Sequence, residues 1–171
     1  MTEASQKPPV LVAEDEIAGT EYLTFMLAGE QYGVNILQVQ EIRGWEPVTR
    51  IPNSPRYVKG VINLRGTIVP ILDLRLRFDL EIAPYTKETV VIVVRARDKH
   101  CEGRSIGLVV DAVSDVLVAR DEQIIGTPEF GANVSTENII GLVSEGEHMV
   151  MLLEVPSLIE GDNREIDEQM A

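Results

Sequence analysis

The chain has 171 residues, enough for one domain or two small ones with a buried core. It contains 21 Val and 16 Ile but only 8 aromatic residues, and such stiff β-branched side chains favour an all-β fold. The formal net charge of −13 argues against nucleic acid and anionic membrane surfaces as partners, because both are bound through clustered Lys and Arg.

The sequence has no pattern for export or membrane insertion. No apolar run approaches the roughly 18 residues that a membrane span requires, and the N-terminus lacks the basic-then-apolar order of a signal peptide. Cys101 is the single cysteine, so no internal disulfide framework is expected. These features predict a cytoplasmic protein.

The first third of the chain begins with a predicted tail. Residues 1–20 carry two adjacent prolines and an acidic cluster, and we expect them to be flexible. Residues 21–28 form a predicted strand. The apolar spacing in residues 32–42 fits either a second strand or one turn of amphipathic helix. Residues 44–55 contain three prolines and are predicted to be irregular.

The most informative stretch is a predicted β-hairpin over residues 58–78, VKGVINLRGTIVPILDLRLRF. Two apolar runs flank Arg65-Gly66-Thr67, and Gly66 can take the positive φ that a short hairpin loop needs. Pro70 has no N–H to donate, which predicts an edge strand or a bulge. Arg65 places a cation at the tip of an otherwise apolar element.

The second half begins after a polar stretch, residues 79–88, which is the predicted boundary between two subdomains. Residues 89–94 are a continuous apolar run, typical of a strand buried on both faces. Two more strands, or one bent strand, are predicted within residues 106–118. A last hairpin over residues 139–155 leads into a short helix, and the acidic residues 160–171 form a second predicted tail.

The two halves contain a gapless internal match. Residues 60–74 align with residues 141–155 at a shift of 81, and residues 33–42 align with residues 107–116. Because both matches keep their order on either side of residue 84, we interpret each half as the same β-unit used twice. Chance similarity between alternating strands is the alternative interpretation.

The match also identifies positions that are not repeated. Arg65 aligns with Gly146, and Gly66 aligns with Glu147. A residue that holds the framework together would be expected in both copies. Arg65 is therefore predicted to serve an interaction with another molecule.

Residues that could perform catalysis are missing. His100 and His148 lie in predicted loops, where solvated histidines are more typical than bases or ligands, and the His100-Cys101 pair lacks the second pair of a zinc site. There is no phosphate-binding glycine loop and no nucleophile elbow. Asp111 and Asp115 lack a calcium loop. We therefore predict no catalytic, cofactor or metal site. Three functions remain open at this point: an adaptor that holds other proteins, an enzyme with a hidden carboxylate pair, and a β-barrel that binds a small ligand.

The run KGVINLRGTIVPILDLR closely resembles the signature hairpin of CheW-type chemotaxis coupling proteins. The likeness continues upstream through YGVNILQVQEIRGWEPVTRIPNSP and downstream through VVIVV, IGLVVDAVSDVL and STENIIGLV. It covers about residues 21–159. The resemblance implies two small five-stranded, SH3-like β-barrels packed with pseudo-two-fold symmetry, with short helices at connections and at the C-terminus. The predicted subdomains are then residues 21–84 and 85–159.

The resemblance also implies a function. Proteins of this family are non-catalytic adaptors that couple chemoreceptors to a CheA-type histidine kinase within membrane-associated arrays. They bind the hairpin tip of the receptor's cytoplasmic coiled coil in a groove between the barrels. The barrel ends pair with the regulatory domain of the kinase. Nucleic acid binding and direct membrane insertion are not implied.

Individual residues follow from the same resemblance. The implied partner-binding residues are Arg65, Glu41, Ile36, Val39, Val90 and Val116, with Gly60 and Gly66 shaping the backbone. Core packing is the alternative role for the four aliphatic residues, since apolar strand residues are usually buried. Arg65 is the principal candidate because the repeat does not preserve it.

Overall fold

The computed structural model describes residues 19–96, 103–126 and 138–158. Nearly all of both predicted tails and the His100-Cys101 pair lie outside these ranges. The strands within them are β1 (Thr20–Leu27), β2 (Glu30–Asn35), β3 (Val39–Gly44), β4 (Val58–Leu64), β5 (Thr67–Asp73), β6 (Val90–Ala96), β7 (Arg104–Val110), β8 (Ala112–Ala119), β9 (Ile139–Glu145) and β10 (His148–Leu153). The helical segments are α1 (Leu74–Arg77), the 3-10 helices Ile36–Gln38 and Asp121–Gln123, and residues 155–158.

The strands form two five-stranded sheets, which confirms the all-β prediction. The central-strand sheet, β3 to β7, has the order β3-β6-β7-β5-β4, and the terminal-strand sheet has the order β8-β1-β2-β10-β9. Neighbouring strands are antiparallel except for β5 with β7 and β10 with β2, which are parallel.

The predicted duplication is confirmed by the pairing of the strands. The two sheets have the same order when β3, β6, β7, β5 and β4 are replaced by β8, β1, β2, β10 and β9. The residue register agrees as well, because Ile71 lies opposite Gly107 in one sheet and Leu152 lies opposite Gly33 in the other. These are the positions that the internal sequence match aligns.

The predicted boundary near residue 84 does not separate the two sheets, and this prediction is corrected. β6 and β7 follow residue 84 but complete the sheet of β3, β4 and β5. β1 and β2 precede it but pair within the sheet of β8, β9 and β10. The physical reason is that each repeat gives its first two strands to one sheet and its last three strands to the other. The sequence unit and the structural unit are therefore different.

The largest hydrophobic core lies between the sheets and holds them together. It combines Leu23, Phe25, Leu27, Tyr32 and Val34 of the terminal-strand sheet with Leu72, Leu74, Ile92, Val94, Ala96, Ile106, Leu108 and Val110, and with Leu153, Val155 and Leu158 near the chain end. Each sheet also encloses a smaller core of its own. Burial on this scale is the main favourable term in folding.

Two local predictions are refined by the strands. Residues 32–42 contain the end of β2, a turn of 3-10 helix and the start of β3, so each of the two proposed conformations describes part of the stretch. Pro70 is on an inner strand, because β5 lies between β4 and β7, and the edge prediction is wrong. The parallel pairing with β7 runs from Ile71 to Asp73, so at Pro70 only the β4 side is paired.

The sequence left Asp111 and Asp115 without a role, and the structure gives both of them contacts. Asp111 bonds to α1 and to the end of β1, and Asp115 bonds within the terminal-strand sheet. The guanidinium of Arg75 on α1 contacts both carboxylate oxygens of Asp111 at 2.5 and 3.0 Å, and the same carboxylate accepts the N–H of Ala28. Asp115 lies beside Thr24, whose hydroxyl bonds to the backbone of Asp115. Both aspartates therefore join parts of the framework.

Candidate functional site

The tip of the β4–β5 hairpin is a two-residue loop of Arg65 and Gly66. Their φ angles are 50° and 90°, the left-handed values that the favoured two-residue hairpin turns require. The side chain of Asn63 accepts the N–H of Gly66 at 2.8 Å and fixes the loop. Gly66 adopts this conformation without strain, whereas a side chain at Arg65 raises its energy by about 1 kcal/mol. The loop therefore presents an arginine where a glycine would be more stable.

Arg65 is held in place by a carboxylate on β3. Its Nη2 donates to Oε2 of Glu41 at 2.7 Å, and Glu41 also accepts from Arg43 at 3.2 Å. The side chain of Arg65 is 71% exposed and that of Glu41 is 24% exposed. The hydrogen bond from Arg65 is the main reason that the pKa of Glu41 lies below its usual range, with a smaller contribution from Arg43. Glu41 therefore orients an arginine that solvent and other proteins can reach.

This ion pair joins the two edges of one sheet. β3 and β4 are the outer strands of the central-strand sheet, and Arg65 directly follows β4. The segment that follows β3 also bonds to β4, through the backbone hydrogen bonds between Thr49 and Val61 at 3.0 and 2.8 Å. The sheet must curl for these contacts to form. The ordering of the site thus depends on the curvature of the whole sheet.

Gly60 sets how closely the backbone of β4 can approach the segment that follows β3. Its φ is 151°, and a Cβ added there would overlap the carbonyl oxygen of Thr49. The register of β4 against β5 shifts between Val58 and Gly60. A glycine is required here because Thr49 must approach closely to bond with Val61.

The four aliphatic residues of the predicted site occupy different surroundings. Val39 and Val90 are partly buried against the core between the sheets. Ile36 is partly buried in the 3-10 helix that precedes β3. Val116 is 40% exposed but lies on β8, in the terminal-strand sheet. The structure therefore brings Arg65, Gly66 and Glu41 together and places Val116 in the other sheet.

Three further residues lie close to the predicted ones. Leu37, next to Ile36, is 88% exposed, and Ile68, close to the hairpin tip, is 61% exposed. Arg43 shares the carboxylate of Glu41. Sequence reasoning missed the two aliphatic residues because apolar side chains in strand-like runs are expected in the core.

Within the described part of the chain, no group of three His, Cys, Asp or Glu side chains is placed to hold a metal ion. The helices of that part of the chain are all too short or too polar to cross a membrane. The site consists of a positioned cation, exposed aliphatic side chains and strand edges. Such a site, on a β-rich fold, is suited to contacts with other proteins.

Comparisons with known proteins give the family. The model of the CheW-like domain matches residues 21–163. The chemotaxis protein CheW of Klebsiella aerogenes is 45% identical over 156 residues, which cover 91% of each chain. The probable chemotaxis protein CheW of Rhizobium etli is 41% identical over 138 residues, covering 81% of this chain and 86% of the relative. The chain belongs to the CheW-like domain family.

A solved structure agrees with this assignment. The crystal structure of the scaffolding protein TtCheW from Thermoanaerobacter tengcongensis superposes with a TM-score of 0.72 at 30% sequence identity. The match covers 80% of this chain and 89% of the other. The fold and the family are thus supported by both sequence and structure.

Proposed function

We propose that this protein is a non-catalytic adaptor that couples chemoreceptors to a CheA-type histidine kinase in a chemosensory array. It acts in the cytoplasm and is recruited to membrane-associated receptors without inserting into the bilayer. The relatives named above are chemotaxis proteins and a scaffolding protein, and these names support the proposal.

The observation that carries the proposal is the presentation of Arg65. Arg65 has a left-handed backbone conformation. The equivalent residue of the other repeat is Gly146, whose φ is 62°. The exposed guanidinium of Arg65 is nevertheless held at 2.7 Å from Glu41. An arginine that is both conformationally costly and pre-ordered has the properties of an interaction anchor, because arginine is enriched among the residues that dominate binding energy.

The surroundings support two kinds of contact. The receptor's helical hairpin tip would lie in a groove between the sheets and meet Arg65, Glu41 and neighbouring aliphatic residues. The regulatory domain of the kinase would pair with the ends of the sheets. Exposed aliphatic residues available for these contacts are Leu37, Ile42, Ile68, Val116, Val118, Ile140 and Met149.

The test is a titration of Arg65→Ala with a receptor cytoplasmic fragment, combined with equilibrium unfolding of the same preparation. Affinity should fall by about tenfold or more, since arginine anchors contribute about 2 kcal/mol or more. Stability should change by less than about 1 kcal/mol, as is usual at exposed positions. Arg65→Glu should bind more weakly still if a carboxylate of the receptor lies opposite.

Arg104→Ala is the matched control, because Arg104 is also an exposed arginine on a strand of the same sheet. It should leave receptor affinity within about twofold of the parent, as expected for a residue outside the interface. Receptor control of kinase activity in a reconstituted array should fail with Arg65→Ala and persist with Arg104→Ala. An Arg65→Ala protein that binds the receptor normally would refute the interface assignment.

A further inference from the structure

Three cations gather on a surface that the proposed adaptor site does not use. Arg50, Arg56 and Lys59 line two adjoining cavities of about 360 and 440 Å3. The larger cavity is also lined by Leu76, Ile82 and Tyr85. We name this surface, made of these six residues, the basic groove.

The cations of the basic groove have no charge partner in the described residues. None of the ion pairs among the described residues includes Arg50, Arg56 or Lys59. Arg50 and Arg56 are exposed, and the ammonium of Lys59 lies 5.6 Å from the centre of the Tyr85 ring. A chain of net charge −13 has many carboxylates available, so a cluster of three unpaired cations is unexpected on electrostatic grounds alone.

The one carboxylate at the groove is already engaged by the framework. Asp73 is buried, and one of its oxygens accepts the N–H groups of Arg75 and Leu76 at 2.9 and 3.4 Å. The other oxygen accepts the hydroxyl of Tyr85 at 2.5 Å. Asp73 therefore moderates the positive potential of the groove but offers no salt bridge to its cations.

The groove is not wholly polar. The side chain of Ile82 is 61% exposed beside the cations, and Leu76 is partly exposed. The ring of Tyr85 packs edge-on against Trp45 with centroids 4.6 Å apart, which fixes its orientation. The combination offers hydrogen-bond donors to carboxylates and an apolar surface to one aliphatic side chain.

The repeat does not preserve these charges. Lys59 aligns with Ile140, and Arg56 aligns with Glu137 at the same shift of 81. Arg50 follows Thr49, whose bridge to β4 corresponds to the bridge that Ile125 makes to β9, so its counterpart is Gly126. The three cations are therefore dispensable for the shared framework.

We propose that the basic groove binds an acidic segment of a partner protein, with two or more carboxylates and an aliphatic side chain. This contact is separate from the hairpin tip. Lys59 and Arg65 lie six residues apart on one hairpin arm, which corresponds to about 20 Å at about 3.3 Å per residue. Nucleic acid is a poorer occupant because the remaining surface is strongly acidic.

The experiment uses a fluorescein-labelled heptapeptide, Glu-Glu-Glu-Leu-Glu-Glu-Glu, titrated with the full-length protein and followed by anisotropy. Binding should be saturable at 50 mM salt and weaken as salt is raised, because the contacts are partly exposed ion pairs. The double variant Arg56→Gln with Lys59→Gln should bind about tenfold more weakly. The control Arg104→Gln removes one exposed cation elsewhere and should stay within about twofold of the parent.

Each alternative occupant has its own outcome. Equal affinity of the parent and the double variant would overturn the proposal, as would equal binding of the heptapeptide with Gln in place of Glu. Tighter binding of an oligothymidylate that is lost in the double variant would assign the groove to nucleic acid. Displacement of the probe by a peptide of residues 160–171, at lower concentration than unlabelled heptapeptide, would assign it to the chain's own acidic end. Melting temperatures within about 2 °C of the parent establish that the variants are folded.

Discussion

The two sheets of this protein have the same strand order, but equivalent positions in them carry different side chains. The hairpin β4–β5 carries Arg65 and Gly66 at its tip, whereas the hairpin β9–β10 carries Gly146 and Glu147. Glycines that allow close backbone approach recur, since Gly60 and Gly141 both lie against a bridging strand segment. Duplicated positions therefore maintain the fold, and positions altered in one copy are available for function.

The connections after the two hairpins differ as well. Asp73 ends β5 and caps α1, and the corresponding Glu154 precedes the helical residues 155–158 without a capping hydrogen bond from its side chain in the described structure. The ion pair of Arg75 and Asp111 has no counterpart, because the aligned residues are Pro156 and Leu37. The connection after β5 therefore has a side-chain helix cap and an ion pair that the connection after β10 lacks within the described residues.

The largest expected effect concerns the two framework glycines. Gly60→Ala should lower the free energy of unfolding by about 3–4 kcal/mol, because it combines a backbone clash with a φ of 151° that side chains rarely adopt. Gly141→Ala places its Cβ 2.7 Å from the carbonyl oxygen of Ile125 and should cost about 1–3 kcal/mol. Urea unfolding measures both. A loss of unfolding free energy in Gly141→Ala that equals or exceeds the loss in Gly60→Ala would contradict the assignment of strain to Gly60.

The capping carboxylates should give the next largest difference. Asp73→Ala removes two capping hydrogen bonds and leaves the half-buried hydroxyl of Tyr85 without its acceptor, so it should cost about 2–3 kcal/mol. Glu154→Ala should cost less than about 1 kcal/mol. Urea unfolding again decides, and a comparable loss at Glu154 would mean that the second hairpin has an equally important cap.

The unrepeated ion pair should make the stability depend on pH. Burial alone would raise the pKa of Asp111, but hydrogen bonds from Arg75 and from the N–H of Ala28 lower it below its ordinary value of 3.8. A lowered carboxyl pKa contributes stability that is complete above 3.8 and is lost as the pH falls through the folded-state value.

Asp111→Asn should therefore be about 1–2 kcal/mol less stable than the parent at pH 7. The difference should shrink as the pH is lowered below about 4, where the parent loses the same interaction. Unfolding curves recorded from pH 7 to pH 2 provide the measurement. A difference that stays constant over this range would show that the charge of Asp111 is unimportant.

The smallest effect is expected at the hairpin tips. Arg65→Gly relieves the left-handed strain and loses an exposed ion pair, so its stability should equal that of the parent within about 1 kcal/mol. Gly146→Ala introduces the same strain in the other hairpin and should cost about 1 kcal/mol. Thermal unfolding resolves both changes. A clear loss of stability in Arg65→Gly would mean that Arg65 supports the framework after all.

The individual strands and turns were predicted well from the sequence, because each is determined by a pattern of neighbouring residues. The hairpin, its Gly66 loop and the buried strand at residues 89–94 are specified by alternation, apolar runs and turn chemistry over a few residues. The internal match even gave the correct equivalence of the strands. The exchange of strands between the sheets could not be predicted from the sequence, because a strand has the same hydrophobic pattern whichever sheet it joins.

The candidate site was predicted only as separate residues. Glu41 and Arg65 are 24 residues apart, and no sequence pattern pairs them across the edges of a curled sheet. The basic groove was missed for a related reason. Its cations and Ile82 come from two distant segments, and an overall charge of −13 obscures a local cluster of positive charge.

The exchange of strands has a consequence for synthesis on the ribosome. The central-strand sheet uses one continuous stretch, residues 39–110, and its strands can pair as soon as β7 has emerged. β1 and β2 are made before these strands, but the sheet to which they belong is complete only when β8, β9 and β10 have also been made. One face of this hairpin can pack on the central-strand sheet, but the face that carries Tyr22 packs against Val143, Val150 and Leu152 and is therefore covered last. Until then that face is the part of the hairpin most exposed to aggregation.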